Sequence, residues 1–179
     1  MPEISYTTTM DVPRADVWEF VRDMNNWAPF TKGYQAHEIT NERESIWTVK
    51  GELGPITRTT KFHVVITEWI DGERVGFTVT GLNEPISGAG AIELKDTPDN
   101  AGTEIIGHVT LTFGGSLGPI VNQFLGPFIK IGADELVTKI ALALQPDYQK
   151  TSRPLFLVGW LQGLADLLMR PLRRGDTDA

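Results

Sequence analysis

From Tyr34 to Phe113 the chain alternates apolar and polar residues with a period of two, and short turn clusters interrupt that pattern every eight to fifteen residues or so. Strands are expected at Tyr34–Thr40, Ser45–Leu53, Thr57–Ile70, Arg74–Leu82, Ala89–Lys95 and Thr103–Phe113. The separators are turn formers: Asn41-Glu42, Gly54-Pro55, Asp71-Gly72-Glu73, Asn83-Glu84-Pro85 and the run from Asp96 to Gly102. Connections this short cannot cross over a parallel sheet, so the strands form an antiparallel meander. A meander with one apolar face must cover that face with something.

The cover comes next in the chain. Leu117 to Leu144 repeats apolar residues at helical spacing, among them Phe124, Phe128, Ile131, Leu136 and Ile140. Gly126-Pro127 sits inside it and should kink or split the helix, because proline removes a backbone donor. Ahead of the meander, Ile4–Met10 reads as a first strand. Asp11 and Pro13 open a helix carrying Val17, Phe20, Val21 and Met24, and Trp27-Ala28-Pro29-Phe30 follows as a second short helix or turn. The expected architecture is α+β: a curved antiparallel sheet wrapped around a long C-terminal helix, with two short helices after the first strand. Such a helix-grip arrangement encloses a space between sheet and helix.

Alternation also sorts the side chains by face. Trp47, Val49, Gly51 and Leu53 share one face of their strand, as do Phe62, Val64 and Ile66; Val75, Phe77 and Val79; Gly88, Gly90, Ile92 and Leu94; and Ile105, Gly107, Val109, Leu111 and Phe113. These are the expected inward residues. The candidate ligand-binding set is Trp27, Phe30, Trp47, Val49, Leu53, Phe62, Val64, Phe77, Val79, Ile92, Val109, Leu111, Phe113, Phe124, Phe128 and Ile131. Trp27 and Phe30 either pack the short helices on the sheet rim or form a lip of the cavity mouth. The inward glycines either leave room in the cavity or mark bends in the sheet.

Titratable groups fall on the opposite face, His63 and His108 with them, and the alternation leaves the facing of His37 open. Acid–base catalysis and metal binding both need converging titratable groups inside the pocket, so no catalytic residue, metal or cofactor is expected. Gly88-Ala89-Gly90 lacks the third glycine of a dinucleotide fingerprint and opens a strand, where a phosphate cradle needs a helix N-terminus. Nothing in the spacing of Ser87, Asp96 and His108 makes a triad. A formal charge of −7 without a dense Lys/Arg stripe argues against nucleic acid, and the absence of cysteine excludes thiolate chemistry.

The helix opening Val12-Pro13-Arg14-Ala15-Asp16-Val17-Trp18-Glu19-Phe20-Val21-Arg22-Asp23, with Trp27 and Pro29 beyond it, resembles that of START-like (SRPBCC) proteins, which include polyketide cyclase-like and lipid-transfer domains. Gly51-Glu52-Leu53-Gly54-Pro55-Ile56, Lys61-Phe62, Gly88-Ala89-Gly90 and Gly114-Gly115-Ser116-Leu117-Gly118 are most similar to the CoxG-like family associated with carbon monoxide dehydrogenase. The resemblance spans Ile4 to Leu144, and the chain departs from the pattern at Gly126-Pro127 and at Arg22-Asp23-Met24-Asn25. It implies a non-enzymatic carrier of a lipid-, quinone- or aromatic-like molecule, serving a membrane or a partner oxidoreductase. A cyclase or dehydratase acting on an aromatic substrate is the alternative, with rim groups from Tyr34, His37, Asn83, Glu84 and Asn122. A membrane-recruiting adaptor is the third reading.

The expected domain covers residues 1–146, followed by a linker at 147–153, an apolar amphipathic helix at 154–174 and a polar tail at 175–179. Gln162, Asp166 and Arg170 make one narrow polar stripe on that helix. Phe156, Trp160, Leu164 and Leu168 must be buried against the chain's own domain, a membrane interface or a partner, with Arg170, Arg173 and Arg174 near any anionic surface. Asp166 interrupts the apolar run, so a full membrane span is not expected. The N-terminus has no secretion pattern, and the expectation is a cytoplasmic protein with a route to the inner face of the membrane.

Overall fold

The computed structural model describes residues 3–53, 56–116 and 118–146. The expected linker at 147–153, helix at 154–174 and tail at 175–179 lie outside them, and with them Phe156, Trp160, Leu164, Leu168, Arg170, Arg173 and Arg174.

Chain order is β1 (Glu3–Met10), α1 (Arg14–Val21), α2 (Met24–Trp27), a 3₁₀ turn (Ala28–Phe30), β2 (Tyr34–Asn41), β3 (Glu44–Leu53), β4 (Ile56–Ile70), β5 (Arg74–Gly81), β6 (Ile86–Asp96), β7 (Thr103–Phe113) and α3 (Gly118–Leu144). The seven strands form one antiparallel sheet in the order β1-β7-β6-β5-β4-β3-β2. This is the α+β helix-grip architecture: a meander whose last strand pairs with the first, and a long helix behind it. Pro13 precedes α1, and its carbonyl accepts from the amides of Asp16 and Val17. Asp23 caps α2 by accepting from the Asn25 amide at 3.0 Å.

Two local expectations change. β6 begins at Ile86, not Ala89, because Ile86, Ser87 and Gly88 pair with Phe113, Thr112 and Leu111 of β7. Glycines 88 and 90 are poor strand formers, and pairing with a neighbour overrides them. The second concerns α3, expected to kink or split at Pro127: it does not split and is helical on both sides of the proline. Gly126 has no Cβ to clash with the proline ring, and its surroundings are open. Pro127 and Gln123 both lie on the exposed side, where the carbonyl freed by the proline is within reach of solvent.

The core sits at one end of the sheet. Met10, Val12, Val17, Trp18, Leu94, Ile140 and Ala141 are buried together, with Val75, Ile105, Leu136 and Val137 packed around them. Thr103 is fully buried there and donates its hydroxyl to the Val12 carbonyl at 2.6 Å. Trp18 is pinned from the other side, its indole N–H on Asp71 at 3.1 Å and its ring 5.2 Å from that of Trp69. α3 packs chiefly on β1 and β7, so it lies over one side of the sheet.

The inward glycines divide into two kinds. A Cβ on Gly90 would stand 2.7 Å from the Phe77 ring and 2.9 Å from the His108 carbonyl oxygen. A Cβ on Gly88 would overlap the Thr110 carbonyl and press on Leu111. At Gly51 and Gly107 the nearest atom would be 4.0 and 3.9 Å away, an ordinary contact. The first pair permits a close approach and the second leaves space. Gly90→Ala should therefore destabilise the fold by about 1–3 kcal/mol, as overpacking does. Gly107→Ala should stay within about 1 kcal/mol of the parent, since nothing must move. Urea unfolding of both variants checks this, and equal losses would contradict the division.

Candidate ligand-binding site

Residues directly opposite one another in a ladder share a face, so the pairing register fixes the lining. One row runs Ser45, Val64, Val79, Gly88, Leu111; the next runs Ile66, Phe77, Gly90, Val109, Ile4. A third links Val75, Ile92, Gly107 and Tyr6, and others pair Trp47 with Phe62 and Ile86 with Phe113. Trp47, Val49, Phe62, Val64, Phe77, Val79, Ile92, Val109, Leu111 and Phe113 thus lie on one face, the face that also carries the core residues Leu94 and Met10. The side chain of Leu53 lies outside the described ones. In β3–β7, between the Gly51–Arg58 pair and the Asp96–Thr103 pair, this face holds no Asp, Glu, Lys or Arg among the described residues.

Burial along this face is uneven. Leu94 is 6% exposed, whereas Ile92, two residues earlier on the same side, is 43% exposed. Val64, Phe77, Val79, Val109, Leu111 and Phe113 are all only partly buried. Ile92 stands opposite Gly107, which has no side chain to cover it. On α3, Phe128 is partly buried, while Phe124 and Ile131 are 49% and 54% exposed and share a stripe with Ile120, away from Leu136 and Ile140.

Beside β2 the sequence pattern missed a cluster. A register shift between Tyr34 and Ala36 sets Tyr34 opposite Val49 and His37 opposite Trp47, so both join the inward face. His37 stacks on Trp47 at 5.5 Å, Tyr34 meets Trp47 edge-on at 6.2 Å, and Trp27 lies 5.6 Å from Trp47. Trp27 donates to the Val21 carbonyl at 2.8 Å and Trp47 to the Ser45 hydroxyl at 3.1 Å, so both indole N–H groups are taken and only ring surface is left to offer. Phe30 packs from the 3₁₀ turn against the core, and its carbonyl accepts from Lys139 of α3. Tyr34 and His37 bond to each other at 2.9 Å. A bulge shifts the period of two by one residue, and nothing in the composition of Tyr34-Gln35-Ala36-His37 announces it.

The other rim candidates are held by structure. Asn83 bridges the Lys61 amide and the Thr59 carbonyl, Asn122 bonds the Phe113 amide and carbonyl, and Glu84 pairs with Arg58 at 3.6 Å. His63 and His108 lie on the outer face, paired with Glu44 and Ser5 at 3.1 Å each. No group of three or more potential metal ligands occurs among the described residues.

The outer face also carries a charge network: Arg74 bridges Glu68 (2.7 Å) and Glu93, and Lys95 reaches Glu93 at 3.2 Å. The Lys95 hydrogen bond first, then the charges of Lys95 and Arg74, hold the Glu93 carboxyl below its ordinary value. A depressed carboxyl pKa adds stability above the unfolded-state value and loses it as the pH falls through the folded one. Glu93→Gln should therefore be less stable than the parent at pH 7, with the gap closing below about pH 4. Urea denaturation at the two pH values tests this, and a gap unchanged by acid would refute it.

The fold and this apolar inner face place the chain in a known class. It belongs to the polyketide cyclase / dehydrase and lipid transport family, whose model matches residues 1–143. A search of curated proteins finds no match. Among solved structures, a conserved protein from Geobacillus kaustophilus superposes with a TM-score of 0.72 at 14% identity, covering 83% of this chain and 98% of that one. A protein from Thermus thermophilus gives 0.61 at 13% identity, over 83% and 100% of the two chains. The di-domain ARO/CYC StfQ from the steffimycin biosynthetic pathway gives 0.57 at 12% identity, over 81% of this chain and 51% of its own. At these identities the likeness is one of fold. The narrower CoxG-like resemblance is not singled out by any of these matches.

Proposed function

We propose that the protein is a carrier that holds an apolar, lipid-, quinone- or aromatic-like molecule between the inner sheet face and α3. The observation behind this reading is the row of inward apolar side chains left partly accessible beyond the buried core, Ile92 above all. Covering one such side chain contributes about 1.5–3 kcal/mol, so a ligand touching several binds without a charged anchor. The family description names lipid transport alongside cyclase and dehydrase activity. The ligand-binding set is the register face itself: Trp47, Val49, Phe62, Val64, Phe77, Val79, Ile92, Val109, Leu111 and Phe113, with Trp27, Phe30, Leu53 and Phe128 completing it from the short helices, β3 and α3, while Phe124 and Ile131, on the exposed stripe of α3, stand outside this enclosed set. Delivery falls to the C-terminal segment at 154–174, toward a membrane surface or a partner oxidoreductase. No helix among the described residues is long and apolar enough to cross a membrane.

A second reading, a cyclase-like enzyme, is favoured by one observation: Tyr34 and His37 meet on the inward face at 2.9 Å. The ARO/CYC neighbour points the same way by fold.

Mass spectrometry of an organic extract of the purified protein should show a stoichiometric apolar molecule. Phe77→Asp should abolish its retention, because it sets an unpaired carboxylate amid apolar side chains. A folded Phe77→Asp protein that still retains the molecule would remove the carrier model. Turnover of an aromatic polyketide that is lost in His37→Ala would replace it with the enzyme.

A further inference from the structure

We infer that Tyr34 is a hydrogen-bond acceptor on the inner sheet face at its β2 edge, which selects an apolar ligand bearing a hydroxyl group. This rests on the carrier reading and adds to it the chemical class of the ligand's polar end.

The inference follows the proton positions along four side chains. Asp23 presents a carboxylate, which only accepts. The Asn25 side-chain amide nitrogen lies 2.9 Å from Asp23 Oδ1, so its NH₂ group points there and its oxygen points the other way. That oxygen lies 3.2 Å from His37 Nε2. An amide oxygen has no proton, so Nε2 carries one and donates. The neutral imidazole then has a bare Nδ1, which must accept. Its partner, 2.9 Å away, is the Tyr34 hydroxyl, so the phenol proton is committed to His37. What the Tyr34 oxygen has left is lone pairs, on the same sheet face as Val49 and Trp47. The relay is anchored: Asp23 also caps α2 through the Asn25 amide, and His37 is stacked on Trp47.

A carbonyl or ether oxygen brought to this point meets lone pairs and is repelled. A phenol or alcohol donates to it. The surrounding rings of Trp27 and Trp47 have no free N–H to offer, so they favour a flat apolar body without competing for the hydroxyl.

A matched pair of probes reads this directly: 1-naphthol, which donates, and 1-methoxynaphthalene, which cannot. In equilibrium dialysis at pH 7 the parent protein should bind naphthol about five- to tenfold more tightly, the value of one net hydrogen bond. In Tyr34→Phe the preference should vanish while methoxynaphthalene affinity stays within about twofold. In His37→Leu the Tyr34 oxygen remains but its proton is released to donate, so the preference should also collapse. Equal binding of the two probes by the parent, or a preference that survives in either folded variant, overturns the inference and leaves the carrier reading standing. Binding of neither probe overturns both.

Discussion

One helix is too narrow for this sheet, and most of the molecule follows from that mismatch. Seven strands at about 4.8 Å spacing span roughly 29 Å across. A helix of 27 residues is about 40 Å long but only 10–12 Å wide. α3 therefore covers β1 and β7 well and cannot cover the whole apolar face. At the end where α1 joins it, the face closes into the core around Met10, Trp18 and Leu94. Elsewhere the same alternating pattern continues with too little to bury it. A partly accessible apolar surface is thus a geometric remainder of the topology.

The register shows what kind of surface this inner face offers. Polar groups that look available along the rim are mostly structural: Asn122 secures the end of β7 to α3, and Asn83 secures the turn after β5 to β4. The outer face carries a charge network in which Arg74, Glu68, Glu93 and Lys95 satisfy one another. On the inner side Tyr34 and His37 stand among aromatic rings at the β2 corner, and the Tyr6 hydroxyl donates to Asp134 of α3 at 3.2 Å.

Much of this was legible in the sequence because antiparallel pairing has a strict period. From Trp47 to Phe113 the alternation assigns each inward residue to the face that the register later fixes, and it sends His63 and His108 outward. Where the period is broken, the reading stops. The bulge at Tyr34–Ala36 swaps faces without any glycine or proline to mark it, so the facing of His37 was not readable. Pro127 reads as a kink or a split because propensity is local, and the helix stays continuous because it is held by its packing and relieved by Gly126. The two kinds of inward glycine look identical as letters. Only the position of the Phe77 ring and of the neighbouring carbonyls tells them apart.

That last difference bears on how such a scaffold can diversify. Gly88 and Gly90 are fixed by backbone and side-chain atoms pressed against them. Gly51 and Gly107 are held by nothing beyond ordinary contact. A change at the first pair alters the frame; a change at the second alters only how much fits inside. Close packing and free space are therefore written at separate positions, and a lineage built on this frame is free to change the room on its inner face one methyl group at a time without redrawing the walls.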